Sequence, residues 1–371
     1  MRNPLHSICP YFAMFPETFA EKHIRRFTSE GEYVFDPFSG RGTTLFQALL
    51  MGRPAIATDT NPVAFCISAA KATVPTLTTV IHEIEHLEVE YKKFPRRSLK
   101  EERQSLPSFF HRGFYYSTLE QLLFLRRLLN WRHSSVHRFI TTMVLGSLHG
   151  DMDKSPSYFS NQMPRTISPK PTYSIGYWQR FSLWPRKRDV FHILRDRAVL
   201  RLENGRPKLK GQVALIDARK AASAFPSLHG KIKAVITSPP YLDVTNYEED
   251  QWLRLWFLGY EAISVYNKFS RDNRHRNRAL YWRFLEEAWQ GVVPLVQDNA
   301  TLVCRIGAKD IEPKQIGESL LASVRRAFPE SELITRPRAS KLRNRQTNAF
   351  RPGSKGCLFE IDYLINLGAV R

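Results

Sequence analysis

The chain has 371 residues, 43% of them hydrophobic, and its 55 Lys and Arg against 35 Asp and Glu give a net charge of +20. That length suits one large domain with an insertion, or two domains, while no run of about 18 apolar residues is present to span a bilayer and no membrane partner is expected. The four scattered cysteines (Cys9, Cys66, Cys304, Cys357) form neither a disulfide framework nor a close-spaced zinc set, and so basic a balance calls for a polyanionic partner.

No charged start followed by an apolar core opens the chain, so no signal peptide is expected, and the cysteines read as reduced core thiols of a cytosolic protein. Residues 33–44 read Tyr-Val-Phe-Asp-Pro-Phe-Ser-Gly-Arg-Gly-Thr-Thr and lead into a helical stretch, Leu45–Leu50. A strand thus enters a loop with glycines at 40 and 42, where the backbone can turn tightly and approach a ligand. The spacing lacks the third glycine of a dinucleotide fingerprint and the Gly-Lys-Ser/Thr of a P-loop, so neither phosphate site fits. A second strand, Ala55-Ile56-Ala57, ends near Asp59. An acidic residue there holds a ribose hydroxyl pair in this architecture. It also suits an N-cap, since Asn61-Pro62 starts the next helix, and both roles are compatible.

A helix is expected over Asn61–Lys71 and another over about Val80–Tyr91, followed by the polar run Lys92–Arg103. His82, Glu83 and His86 match His-Glu-x-x-His, but no third ligand is evident, so an exposed helix face is the better account and no metal is expected. Thr118–Trp131 and Val136–Leu148 repeat apolar residues at helical spacing and pack together as core. Between His149 and Arg188 periodicity is weak. A stretch this long is functional or disordered, and its aromatics (Tyr158, Phe159, Tyr173, Tyr177, Trp178, Phe181, Trp184) argue against disorder. Leu215-Ile216-Asp217-Ala218 ends a third strand.

The fourth strand, Ala234-Val235-Ile236, runs into Thr237-Ser-Pro-Pro-Tyr241. Two consecutive prolines there give up two backbone donors and fix two φ angles. A fold accepts such stiffness where carbonyls and side chains must hold one geometry. The hydroxyl before the prolines and the ring after them suit a flat heterocycle carrying an amino group; a plain strand-to-loop turn is the alternative. Glu248–Leu258 reads as a helix, Ala300–Ile306 as a fifth strand, and Leu333–Thr335 and Leu358–Ile365 as the last two, joined by a basic loop, 336–355. That loop holds Arg336, Arg338, Lys341, Arg343, Arg345, Arg351 and Lys355 and no acidic residue. A second basic stretch runs from Arg180 to Lys210, and a third holds Arg271, Arg274, Arg276 and Arg278. A charge run is usually a solvated face. Three such runs with interleaved aromatics favour phosphate contacts.

Asp36-Pro-Phe-Ser-Gly-Arg-Gly-Thr-Thr44 resembles the S-adenosylmethionine motif, and Thr237-Ser-Pro-Pro-Tyr241 the catalytic motif, of amino-group DNA methyltransferases, which methylate N4 of cytosine or N6 of adenine. Ser-Pro-Pro-Tyr is the form typical of the N4-cytosine members; the adenine enzymes more often carry Asp or Asn at the Ser238 position. The stretch His6–Ile24, with Tyr11-Phe12-Ala13-Met14-Phe15-Pro16, is similar to the family segment that helps cover the methionine end of the cofactor. Asp217 looks like the third-strand aspartate that faces the cofactor adenine. The clear motifs cover residues 6–71 and 213–258. In many relatives with the Asp-Pro-Phe-Ser-Gly loop the catalytic motif comes first; here the cofactor loop does, an order also known in the family.

The resemblance implies a Rossmann-like class I methyltransferase fold, an α/β architecture with a seven-stranded, mostly parallel sheet and an antiparallel last strand. Its catalytic domain would take residues 1–72 and 211–371, with 73–210 inserted between the second and third strands as the candidate target-recognition region. S-adenosylmethionine would be held by Tyr11, Phe15, Asp36, Pro37, Phe38, Ser39, Gly40, Gly42, Thr43, Thr44, Asp59, Asn61, Asp217 and Ala218. Ser238, Pro239, Pro240 and Tyr241 would act on the base, and Arg186, Lys187, Arg188, Arg338, Lys341, Arg343 and Arg345 would contact duplex DNA. Bonds from the substrate NH₂ to the Ser238 hydroxyl and Pro239 carbonyl would direct nitrogen density at the methyl sulfonium. The base would leave the duplex and stack on Tyr241. No strong general base is needed, and Asp243 reads as a solvated loop aspartate. No cysteine follows a proline, which disfavours C5-cytosine chemistry.

The implied function is N4-cytosine methylation of duplex DNA in a restriction-modification or related defence system, with a separately encoded endonuclease, in the cytoplasm and on the nucleoid. Adenine N6 or structured RNA as substrate, and a non-catalytic DNA-binding relative, remain open alternatives.

Overall fold

The computed structural model describes residues 2–11, 15–150, 157–160, 170–242, 247–261, 277–308, 311–341 and 357–370. Eight strands form one sheet: β1 (Tyr33–Asp36), β2 (Ala55–Asp59), β3 (Gln212–Leu215), β4 (Ile232–Thr237), β5 (Val296–Ile306), β6 (Glu332–Leu333), β7 (Arg338–Lys341) and β8 (Phe359–Asn366). Their order is β3-β2-β1-β4-β5-β8-β6, with β7 also paired to β8. Strands β1 to β5 are parallel, and β8 runs antiparallel to its neighbours. The strand order reverses between β1 and β4, where an open α/β sheet forms its ligand crevice beyond the strand carboxyl ends. With its antiparallel last strand, this is the Rossmann-like class I methyltransferase fold.

The alternation along the strands shows why the sheet is covered on both faces. Val34, Ala234, Ile236 and Val303 pack with Phe19, Ile24, Leu45 and Leu49 on one face. Their chain neighbours Phe35, Val235, Leu302 and Cys304 pack with Leu285, Trp289 and Leu320 on the other. Runs of Val, Ile, Phe and Ala are what a doubly covered parallel sheet requires.

Seven strands were expected, and eight are present among the described residues. The additional one, β7, falls inside the run expected as a basic loop over 336–355. Its Arg-Ala-Ser-Lys carries no apolar alternation, because a strand whose side chains face water can be charged on its exposed positions. Residues 342–356 lie outside the described residues. Strand β5 begins at Val296 rather than Ala300. The pairing with β4 shifts between Ile232↔Val296 and Ala234↔Thr301, and Asn299 takes φ +56°. This irregularity breaks the pattern that marks a strand in sequence.

The chain divides into two compact units. One comprises Phe12–Ala72, Pro207–Asn246 and Phe269–Arg371 and holds the sheet. The other comprises Met1–Tyr11, Thr73–Arg206 and Tyr247–Lys268 and is helical. The helical unit therefore takes in two segments beyond the 73–210 insertion read from the sequence. Each is tied down locally. A Cβ at Gly146 would come within 2.3 Å of the Ile8 carbonyl, Arg254 Nε donates to the Leu145 carbonyl (3.1 Å) and Arg126 Nε to the Trp256 carbonyl (2.7 Å).

Helices Leu77–Lys93, Tyr116–Leu128 and Ser135–Leu145 lie within a few residues of expectation. The polar run after residue 92 differs: Arg96–Ser105 is a helix that buries Leu99 alone and carries an Arg97–Glu101 pair one turn apart. Pro171–Arg180, in the segment of weak periodicity, is also helical. It is pinned by Trp178, which is fully buried 5.3 Å from the Phe109 ring, and a Cβ on Gly113 would come within 3.2 Å of its edge. All four cysteines are buried free thiols. No described helix is long and apolar enough to cross a membrane.

Candidate active site

The loop after β1 is built from both of its flanking strands. Asp36 closes β1 at 2% exposure, and its Oδ1 accepts from Thr237 Oγ1 (2.6 Å) and from the Phe38 amide (3.1 Å). Burial pushes its pKa up to about 7, against the opposing pull of those bonds, and the Asp59 charge adds to the rise. Asp59 closes β2 and accepts from the amides of Gly40 (2.9 Å) and Asn61 (2.8 Å); burial pushes it up to about 6. The helix cap expected of Asp59 belongs to Asn61, whose Oδ1 accepts from the Val63 amide (2.9 Å) at the start of Pro62–Ala72.

The two glycines have distinct reasons to be there. Gly40 takes φ +49° and Gly42 φ +70°, both left-handed. At Gly42 a Cβ would also come within 2.8 Å of Ser68 Cβ and 3.0 Å of Ser68 Cα. The Ser39 amide donates to the Thr58 carbonyl (3.0 Å), and Thr58 Oγ1 to the Pro37 carbonyl (2.8 Å). Lys71, 1% exposed, reaches the Arg41 carbonyl with Nζ (2.7 Å). Ser68 and Lys71 support the loop from the next helix and were missed in the sequence. Their small or basic character there carries no motif.

The Ser-Pro-Pro-Tyr segment leaves the end of β4 beside this loop. Thr43–Leu50 begins directly after Gly42, and Thr44 Oγ1 donates to the Ile236 carbonyl (3.0 Å). Together with the Thr237–Asp36 bond this brings residues 36–44 and 237–241 to one end of adjacent strands. Tyr281 Oη donates to the Pro240 carbonyl (2.9 Å). Ser238 Oγ donates to Tyr241 Oη (3.3 Å), which donates to Glu360 Oε1 (3.1 Å). Tyr241 is 8% exposed, and a Cβ on Gly307 would lie 3.1 Å from its Cε2. The ring is packed on this side. Burial and the nearby Glu360 carboxyl hold its hydroxyl well above the usual range.

The remaining expected residues fall as follows. Phe15 is buried against Phe19, ring centroids 4.9 Å apart, and Phe38 meets the Phe284 ring edge-on at 5.8 Å. Tyr11 is buried and belongs to the helical unit. Asp217 caps the short helix Ala218–Lys220 and is engaged by Arg219, with Nε to Oδ1 at 3.0 Å and Nη2 to Oδ2 at 2.9 Å. Ala218 is buried beside it. Arg186, Lys187, Arg338 and Lys341 are exposed. Arg188 is half-buried, and Thr118 Oγ1 brackets its backbone, accepting from its amide (2.9 Å) and donating to its carbonyl (2.7 Å). Arg343, Arg345 and Asp243 lie outside the described residues. Glu83 pairs with His137 Nε2 (2.9 Å). Among the described residues no group of three or more His, Cys, Asp or Glu is placed to hold a metal.

The fold is that of class I methyltransferases. Residues 3–70 match the family described as DNA methylase. The orphan methyltransferase M.BamHII from Bacillus amyloliquefaciens is 51% identical over 47 residues, 13% of this chain and 18% of that protein. The type II methyltransferase M.MjaII from Methanocaldococcus jannaschii is 36% identical over 67 residues, 18% of this chain and 13% of that one. The matches thus span less than a fifth of either relative. Among solved structures, the rRNA methyltransferase aviRa from Streptomyces viridochromogenes aligns at TM-score 0.38 and 10% identity over 100% of this chain and 92% of its own. Through residues 3–70, the segment carrying the β1 loop, the chain is similar to amino-group DNA methyltransferases. That family uses S-adenosylmethionine. The loop offers it two desolvated carboxyls, Asp36 and Asp59, on neighbouring strands.

Proposed function

We propose that this protein methylates the exocyclic N4 amino group of cytosine in duplex DNA, using S-adenosylmethionine. The observation that carries the reading is the 2.6 Å bond from Thr237 to Asp36, which ties the strand end leading into Ser-Pro-Pro-Tyr to the one leading into the glycine loop. Asp36, Pro37, Phe38, Ser39, Gly40, Gly42, Thr43, Thr44 and Phe15 would hold the methionine part of the cofactor. Asp59 and Asn61 would hold the ribose, and Asp217 and Ala218 would border the adenine. The bound cofactor supplies an electrophilic methyl group.

The protein's part is to shape the nucleophile. A cytosine amine is weak because its lone pair is delocalised into the ring. Donating its protons to Ser238 Oγ and the Pro239 carbonyl favours a pyramidal nitrogen, a state closer to the transition state than to the ground state. The base would be flipped out to reach this place, with Tyr241 as its stacking partner.

The helical unit would hold the DNA. Trp184 is 68% exposed with the Arg112 guanidinium 4.1 Å from its ring centre. The exposed Tyr173 and Phe181 flank Tyr177 along one helix face, with Arg186 and Lys187 close in sequence. Aromatics interleaved with cations suit bases and phosphates. A role in restriction-modification, with a separate endonuclease, follows from this reading.

The test is methyl transfer from labelled S-adenosylmethionine to duplex DNA of mixed sequence, with mass spectrometry of the nucleosides against standards. N4-methylcytosine is expected. N6-methyladenine would overturn the base assignment, and product on RNA alone would overturn the DNA substrate.

A further inference from the structure

Glu360 belongs to no recognisable motif, yet it ends the hydrogen-bond chain that starts at Ser238. It stands on β8, 119 positions from Tyr241, whose hydroxyl it accepts at 3.1 Å. Arg305, on the neighbouring strand β5, lies 3.5 Å from the other Glu360 oxygen, and the two side chains are 13% and 19% exposed. Arg305 is itself fixed by paired bonds to Asp362 at 2.7 and 2.9 Å. Burial pushes the Glu360 carboxyl up, and Arg305 opposes that rise.

The order of donors in this chain is set from its far end. Tyr241 gives its single phenolic proton to Glu360 Oε1, whose other oxygen lies against Arg305. The Tyr241 oxygen is then an acceptor toward Ser238, and the Ser238 proton is committed to it. Any further group meeting Ser238 Oγ therefore finds lone pairs. The Ser238–Tyr241 distance of 3.3 Å is longer than the usual hydroxyl pair of about 2.7–2.8 Å.

We propose that Glu360 is a positioning residue that fixes Ser238 as an obligate hydrogen-bond acceptor, so that the site selects a substrate atom bearing protons, an amino group, over a ring nitrogen or carbonyl. This rests on the methyltransferase reading and deepens it. The plain alternative is an ion-pair network that only holds β5 to β8.

Glu360→Gln separates the two. Its carboxamide oxygen turns toward Arg305 and its NH₂ toward Tyr241, which reverses every donor down to Ser238. The expected result is a fall in kcat of about 10²-fold, the scale of one misdirected transition-state hydrogen bond. KM for the cofactor and DNA affinity should stay within threefold. In a Tyr241→Phe background, where the chain is already cut, Glu360→Gln should cost nothing further, as coupled residues do. An equal further loss there would overturn the proposal in favour of a structural role.

A second readout does not need turnover. The ring-carbon NMR signal next to the Tyr241 hydroxyl, assigned by its loss in Tyr241→Phe, should move in both Glu360→Gln and Ser238→Ala. An unmoved signal in Glu360→Gln would overturn the inference whether or not the protein is active. An active wild type with a fully active Glu360→Gln would overturn it alone. A wild type that methylates neither DNA nor RNA would remove the methyltransferase reading, and the role of Ser238 with it.

Discussion

Thr237 Oγ1 donates to Asp36 Oδ1 at 2.6 Å, joining positions 201 residues apart across the sheet's switch point. The acceptor is a buried carboxyl with a pKa of about 7 against 3.8 unfolded. The folded state therefore binds its proton more tightly, and stability falls as pH rises from about 4 to about 7. Above pH 7 the ionised, desolvated carboxyl is a cost the fold carries. Asparagine keeps an acceptor for Thr237 and for the Phe38 amide and removes that cost. Asp36→Asn should therefore raise Tm at pH 8, by an amount on the order of a few degrees, and raise it little at pH 4.5. Thermal melts at the two pH values check this. A gain confined to acid would show that the carboxyl is not desolvated. Calorimetry on the same variant should show weakened S-adenosylmethionine binding at pH 8, since a cation-bearing ligand loses its carboxylate.

Gly42→Ala addresses the loop directly. The new methyl would meet Ser68 Cβ at 2.8 Å and Ser68 Cα at 3.0 Å, with backbone φ at +70°. Left-handed backbone in a residue with a side chain costs about 1–3 kcal/mol, and Ser68 Cα cannot simply rotate away. Urea unfolding should show a loss larger than that, with an unchanged slope. Gly31, at φ +85° with nothing near its Cβ position, is the control. Alanine there keeps the backbone strain but adds no clash, so its loss should be smaller. Equal losses at the two positions would refute the close packing against Ser68.

What could be seen in the sequence was local. The glycines at 40 and 42, the aspartates closing β1 and β2, and the prolines after β4 each mark their own backbone geometry, and their strands and helices fall near where expected. What could not be seen depends on residues far along the chain. Ser68 and Lys71 matter because they meet Ser39 and Arg41, 29 and 30 positions away, and Glu360 because it meets Tyr241. Arg96–Ser105 hid for a different reason: with Leu99 as its one buried residue it has no apolar stripe. Strand β7 hid because all four of its residues are partly or fully exposed. Residues 2–11 and 247–261 join the helical unit through contacts that no periodicity announces, such as Arg254 Nε to the Leu145 carbonyl.

Ser238→Ala removes the acceptor proposed for the substrate amine while leaving Pro239 and Pro240 to hold the backbone. Methyl transfer should fall about 10²–10³-fold, with DNA affinity changed within a few-fold. Ser238 is half-buried and donates to Tyr241 at 3.3 Å within the motif, so little of the fold depends on it. Rates under single turnover, set beside fluorescence-anisotropy binding, separate the two quantities. If binding collapsed along with activity, Ser238 would belong to DNA recognition and not to chemistry.

The basic run at 186–188 should divide by exposure. Arg186 and Lys187 are exposed, whereas Arg188 is half-buried, its backbone bracketed by Thr118 and its guanidinium pKa lowered by burial and by Arg186. A cation that neutralises one phosphate contributes about 0.9 to the slope of log affinity against log salt concentration. Arg186→Ala and Lys187→Ala should each reduce that slope by about this amount and weaken binding to all sequences alike. Arg188→Ala should leave the slope nearly unchanged and lower thermal stability instead, because its stem packs within the helical unit. Titrations at several salt concentrations read the slopes. Unchanged slopes for both exposed variants would remove residues 186 and 187 from the DNA surface and leave β7, with Arg338 and Lys341, as the cationic face to test next.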